Sequence, residues 1–370
     1  MLTYILPFIV LILIVVFIHE YGHYYFAKRY GVGITDFSIG FGKEIIGWND
    51  NSGTRWKICW IPLGGYVKFF GDRNVFSQAD QLKILEKYKK EDQDKLFVLK
   101  PLYQRVLIVF GGPLANFLLA IIIFFSIYTF VGKDFTPAVI NEVQKDSPAM
   151  VGGLKESDII LEIDGNDVKS IMEVSKFITM STSDTINFRV KRLYDEVSLQ
   201  IKPDTVQGED NLGNKINKRV VGIKLGAYNN EINHVKLGPA QAIYHSVQEV
   251  YYVSVSSLKY IGAMIFGKAD TSQLGGPIRI AKISGQVAEF GVLAFISMMA
   301  YISISLGLVN LFPIPMLDGG HLMFYAFEKF LGRPLSQKTQ EGFFRIGLIL
   351  LLSLMFFTTF NDLKDLGLFK

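Results

Sequence analysis

A single cysteine, Cys59, stands among the 370 residues, so no intrachain disulfide can form and no multi-cysteine metal site exists. Dense runs of Lys or Arg are missing too, and the net charge is only +4, which argues against nucleic acid as a partner. From Met1 to Ile18 there is no charged residue of either sign, and comparable apolar runs recur further along. Half of the residues are hydrophobic. Gathered into separate long runs, they exclude a simply soluble globule and describe a polytopic α-helical membrane protein with a hydrophilic insert. No Lys or Arg precedes the first run and no small-residue cleavage pattern follows it, so the segment is expected to be retained rather than removed as a signal peptide.

Into the end of that first run fall His19-Glu20-Tyr21-Gly22-His23. On a helix the two histidines leave the same face one turn apart and can grip one ion. The spacing is that of zinc hydrolases, in which the intervening glutamate takes a proton from the attacking water. Ionisable groups at membrane depth are costly and mark function. The competing reading, two histidines satisfied by neighbouring carbonyls in a bundle, carries less weight for that reason.

About four transmembrane helices are expected. The first covers roughly 2–27 and is followed by Lys28 and Arg29, which places the N-terminus outside. Residues 31–73 change to strand and turn: a β-hairpin at 44–60, turning at 49–53, is apolar yet non-helical and suits a membrane-associated position. A charged helical connector follows over 74–100. The second span, about 106–131, contains Gly111-Gly112-Pro113-Leu114-Ala115-Asn116, small residues that let another helix approach, with a chemical role left open. Strand patterns fill an outer domain at 133–236, and Gly238 to Gly267, carrying Gln241, His245, Gln248, Glu249 and Lys259, reads as an amphipathic helix at the outer interface. The third span, about 292–311, breaks at Pro313 and Pro315, and the fourth covers about 344–360. The divisions are thus 1–132, 133–236, 237–290 and 291–370.

Two histidines leave a catalytic zinc one protein ligand short. His234, His245, Asp318 and His321 are the candidates. Four spans put Asp318 and His321 on the same side as His19 and the other two histidines opposite, so parity favours the pair at the broken stretch. Between Asp318 and His321 residue type alone does not decide.

Taken together, the His19-to-His23 motif, Phe41-Gly42, Pro62 to Val67, Gly112 to Phe117, Gly275 to Ile278, and Asn310 to Gly319 resemble the bacterial site-2 proteases, in the branch of the regulator of sigma-E protease. The resemblance implies one Zn²⁺ held by His19, His23 and Asp318, with Glu20 as catalytic base and Asn310 contacting substrate. It implies an outer PDZ domain, with room for one where that branch carries two, and a β-loop that holds an extended substrate. It further implies site-2 cleavage, in the bacterial inner membrane, of single-span proteins such as anti-sigma factors already cut on their outer side, and of remnant signal peptides. A non-proteolytic PDZ scaffold with a structural metal would need a closed metal site, and a metal transporter would need acidic residues along other spans.

Overall fold

The computed structural model describes residues 2–71, 88–209, 215–227, 232–267, 271 and 274–365. Its longer helices are α1 (Leu2–Arg29), α2 (Leu102–Ser126), α3 (Ile171–Met180), α4 (Pro239–Ile265), α5 (Pro277–Glu289), α6 (Val292–Asn310), α7 (Asp318–Leu331) and α8 (Gln337–Asp365). The chain divides into two compact units, Met1–Ile123 with Gly275–Lys370, and Phe124–Leu274.

Four helices are long and apolar enough to cross a membrane: Thr3–Arg29, Leu102–Val131, Val292–Asn310 and Gln337–Lys364. They fall where the hydropathy pattern expects spans, the last one longer at both ends. With 28 residues, α1 extends about 42 Å, more than the roughly 30 Å of a hydrocarbon core. Its Ile and Val are mediocre helix formers in water, but in lipid every backbone N–H must find an internal partner, and a helix supplies them all.

Small residues bring the helices of the first unit together. A β-carbon on Gly22 of α1 would lie 2.1 Å from the Gly111 carbonyl oxygen of α2, and one on Gly111 would lie 2.7 Å from Gly22 O, so the two backbones touch. Ser303 of α6 donates from Oγ to Asn116 O of α2 at 2.9 Å, and Gly307 leaves room beside Asn116 Cβ. In the 237–290 division, beyond the amphipathic helix, α5 is a further helix, begun by Pro277 at its first turn, where a missing N–H costs nothing. Its free amides are taken by buried Asp362 of α8, which accepts from Gly276 N at 2.8 Å and from Ile278 N and Arg279 N at 3.0 Å.

Two bent strands, β1 (Ile34–Asn49) and β2 (Arg55–Phe69), fold into a sheet of four segments. Residues 34–39 pair with 65–69 on one side and with 55–58 on the other, while 44–49 pair with 55–59. Gly40 and Gly42, both at φ +87°, make the bend, in a region where a side chain would clash. The hairpin expected at 44–60 is therefore the outer half of this sheet. The segment beside Glu20 of α1 is 65–69, where Gly65 abuts Glu20 Cγ and Val16. The hairpin turn is fastened to α1 through Asp50, whose carboxylate accepts from Ser52, Thr54, Tyr24 OH at 3.1 Å and Trp56 Nε1 at 3.2 Å. Burial pushes that carboxyl up, but the hydrogen bonds from Ser52, Thr54 and Trp56 outweigh it and hold it below the ordinary carboxylate range. Of the connector expected over 74–100, residues 74–87 lie outside the described ones; the rest holds only two single turns, Lys90–Gln93 and Phe97–Leu99.

The second unit contains an antiparallel sheet of β3 (Val139–Val143), β4 (Ile159–Ile163), β5 (Ile186–Arg192), β6 (Asp195–Ile201) and β7 (Ile223–Gly226) in the order β7-β3-β4-β5-β6. Alternate residues of its strands, with Val174, Phe177 and Ile178 of α3, form the core. A two-residue pair, Lys133–Asp134 with His234–Val235, precedes and follows the sheet in the chain. α4 packs on α3 through Lys176 and Glu249 at 2.6 Å and through Tyr252 on the Phe177 ring. It leaves Ile243, Tyr244, Val247 and Tyr251 exposed.

The backbone contact of α1 and α2 yields a paired prediction. Gly22→Val should lower the thermal unfolding midpoint in detergent, since overpacking costs about 1–3 kcal/mol or more. Gly342→Ala, at a helical glycine of α8 with open space around it, should leave the midpoint unchanged or slightly raised. Equal midpoints for both variants would contradict the crossing.

Candidate metal centre

The α1–α2 contact sets His19 and His23 against the Gly111-Gly112-Pro113 turn of α2. A β-carbon on Gly112 would come within 2.3 Å of His23 Nε2 and 2.8 Å of His19 Cε1. Only glycine leaves that space. His23 Nδ1 lies 2.9 Å from Ile108 O; a carbonyl can only accept, so Nδ1 carries the proton and Nε2 presents a lone pair.

The third group arrives from the opposite end of the sequence. α6 ends at Asn310, and the prolines that follow turn the chain back through Met316, held at φ +93°, an uncommon conformation for a residue with a side chain. Gly319 and Gly320 make the turn possible: β-carbons there would fall 2.2 Å from Phe312 O and 2.5 Å from Ile314 O. Asp318 is the first residue of α7. α7 is fixed to α2 by Arg105, buried against Tyr325 and donating to both oxygens of Glu328 at 3.0 and 2.5 Å.

Three donor atoms converge. Asp318 Oδ2 lies 3.2 Å from His19 Nε2 and 3.5 Å from His23 Nε2, and the two nitrogens are 3.3 Å apart. Ligands about 2.0–2.1 Å from a tetrahedral zinc stand roughly 3.3–3.4 Å from one another, so the spacing is that of one face of such a site. Asp318 Oδ2 is buried, with the two imidazole Nε2 atoms as its polar neighbours. The charges acting on Asp318 and Glu20 are those of the two imidazoles and, for Glu20, of Asp318 itself. Two carboxylates in an apolar setting call for positive charge, and a divalent ion would neutralise both.

Glu20 is buried beside the cluster, with the Val67 backbone of the 65–69 segment as a hydrogen-bond partner. Asn310 places its amide nitrogen 3.4 Å from His19 Nε2, at the rim of the site. Among the described residues His19, His23 and Asp318 are the group that could hold a metal. His321 instead points into aromatic rings, 5.7 Å from Phe344 and 6.4 Å from Phe324. His234 lies in a two-residue strand and His245 on α4 beside Phe135, both in the other unit; burial and Lys133 lower the affinity of His245 for a proton. Gly112 and the Arg105–Glu328 pair were not legible as site elements from spacing; a charged residue near each end of a long separation, 105 and 328, gives no local signal.

The sequence pattern described as peptidase family M50 matches residues 7–354. A protein of Agrobacterium fabrum bearing the name of a zinc metalloprotease is 40% identical over 363 residues, covering 98% of this chain and 96% of its own length. One of Rickettsia conorii with the same kind of name is 37% identical over 363 residues, with 98% and 99% covered. The metalloprotease MmpA of Caulobacter vibrioides is 34% identical over 378 residues, with 96% and 94% covered. Among solved structures, the PDZ domain of the SdrC-like protein from Listeria monocytogenes is 28% identical over 25% of this chain and 88% of its own, with a TM-score of 0.20.

Zinc content separates the candidate third ligands. Asp318→Ala should purify with zinc far below one per chain, because a ligand is lost, whereas His321→Ala should keep most of it. Mass-spectrometric metal analysis decides; metal lost from His321→Ala and kept by Asp318→Ala would overturn the assignment.

Proposed function

Because this chain belongs to peptidase family M50, we propose that it is a zinc-dependent intramembrane endopeptidase that cuts single-span membrane proteins after a first cut has been made elsewhere in them. That it is a metalloprotease follows from the family. The intramembrane setting is supported by one observation above all: of the three donor atoms spaced for zinc, those of His19 and His23 lie on a helix long and apolar enough to span a bilayer, and Asp318 follows the turn that ends another. Bound there by His19, His23 and Asp318, one zinc ion would supply a Lewis acid that activates water and polarises a peptide carbonyl.

The chain's own residues do the rest. Glu20 takes the proton of the attacking water and returns it to the departing amine, moving one proton across the cleaved bond. Asn310 donates its amide N–H toward the substrate carbonyl as negative charge develops there. A substrate helix hides its carbonyls in hydrogen bonds, so it must be drawn out before attack. The 65–69 segment ends the β1–β2 sheet next to Glu20, and an extended substrate can pair with it.

Sidedness follows from charge: Lys28 and Arg29 close the first span, and Lys100 and Arg105 precede the second, which supports a bacterial inner membrane protein with both termini outside and the metal toward the cytoplasm. The sheet and α3 of residues 133–236 are read as one PDZ domain on the outer side, and α4 as lying in the outer interface, its exposed Ile243, Val247 and Tyr251 in lipid. Substrates of the anti-sigma factor type, and remnant signal peptides, fit this arrangement.

Reconstituted with a single-span test substrate, the protein should cleave it, stop when a zinc chelator is added and resume when zinc is restored. Glu20→Gln should abolish cleavage while keeping zinc at the wild-type level, since it removes the base and leaves the ligands; a fully active variant would sink the role given to Glu20. Orientation is read separately in a Cys59→Ser background. Cysteines at Lys224 and Gly267 should both react with an impermeant thiol reagent from outside, and reaction at 224 alone would mean that α4 crosses the bilayer.

A further inference from the structure

We propose that Asn116 is a positioning residue of the metal centre, whose side-chain oxygen accepts the Nδ1–H of His19 and holds that ring with Nε2 toward the metal. The inference rests on the zinc reading of the site. Asn116 lies in α2 and is wholly buried. Its amide nitrogen is 3.2 Å from His19 Nδ1, and its amide oxygen is buried with no hydrogen-bond partner.

The chemistry of imidazole decides which end of the amide belongs there. His19 Nε2 is the nitrogen that faces His23 Nε2 and Asp318 Oδ2, so it is the one whose lone pair a metal takes. The proton must then sit on Nδ1. An N–H needs an acceptor, and the NH₂ group of Asn116 is only a donor. A half-turn of the amide exchanges its two ends and sets Oδ1 against Nδ1–H. The orientation with nitrogen inward suits the other tautomer, in which Nε2 carries the proton and donates toward Asp318.

Two further features support a built position. His23 has the equivalent device, its Nδ1 at 2.9 Å from Ile108 O, so each ligand histidine has its outer nitrogen on α2. The backbone of Asn116 is itself held, by Ser303 Oγ of α6, the helix that ends on Asn310. Outer partners of this kind fix ring orientation and raise ligand basicity.

The test uses full-length protein in detergent, with zinc affinity measured by competition against a chromophoric chelator and the unfolding midpoint of each metal-free protein recorded beside it. Asn116→Leu keeps the size and removes the acceptor; Asn116→Asp keeps an acceptor oxygen and cannot donate. Zinc binding should weaken ~10- to 100-fold in Asn116→Leu and stay close to wild type in Asn116→Asp, with midpoints of the metal-free proteins alike. Cobalt-substituted wild type should show two slowly exchanging, paramagnetically shifted ring N–H signals, one from each histidine. Wild-type affinity in Asn116→Leu, or equal losses in two folded variants, would overturn the proposal. A single slowly exchanging ring proton in the cobalt wild type would do so as well, even if a variant failed to fold. Failure of the zinc reading looks different: wild type itself would bind no zinc, and Asp318→Ala would change nothing.

Discussion

The backbone contact between Gly22 and Gly111 is the constraint on which the rest of the membrane unit depends. With no side chain between them, α1 and α2 meet closely enough for His23 to reach the Ile108 carbonyl and His19 to reach Asn116. Dispersion and hydrogen bonds, not hydrophobic exclusion, hold helices together in lipid, so a crossing of two glycines is worth more here than in a soluble core. A larger residue at either position would separate the helices and, with them, the ligand atoms from their outer partners.

Electrostatics explains why the third ligand must come from far along the chain. Glu20 and Asp318 are buried carboxylates whose charged surroundings are two imidazoles and, for Glu20, Asp318 as well. Neither could remain ionised in an apolar interior alone. Arg105 and Glu328 solve the corresponding problem at the other end of α7 by pairing with each other in two hydrogen bonds. Met316, strained at positive φ, and the glycine pair after Asp318 are the local conformations that let the chain return to α1.

Much of this was legible in the residues. The pattern His19-Glu20-x-x-His23 fixed one helix face, the apolar runs marked four candidate spans, and parity with the Pro313–Pro315 break directed attention to Asp318 and His321, between which the family resemblance chose Asp318. Three things were not. Helix α5 is short and mixed in character, and its stability comes from Asp362, 85 or so positions away, which no local pattern reveals. The β1–β2 sheet folds twice because Gly40 and Gly42 bend one strand, so the segment beside Glu20 is 65–69 rather than the 44–60 hairpin. Asn116 was visible as an amide in an apolar span, a signal of cost, but its partner depends on how α2 crosses α1, which spacing does not give.

Zinc K-edge X-ray absorption on the purified wild-type protein tests the central claim most directly. Two imidazoles and oxygen ligands at about 2.0–2.2 Å, with no sulfur, is the result the geometry of His19, His23 and Asp318 predicts. A spectrum with three imidazoles, or with the longer distance of a sulfur ligand, would contradict it.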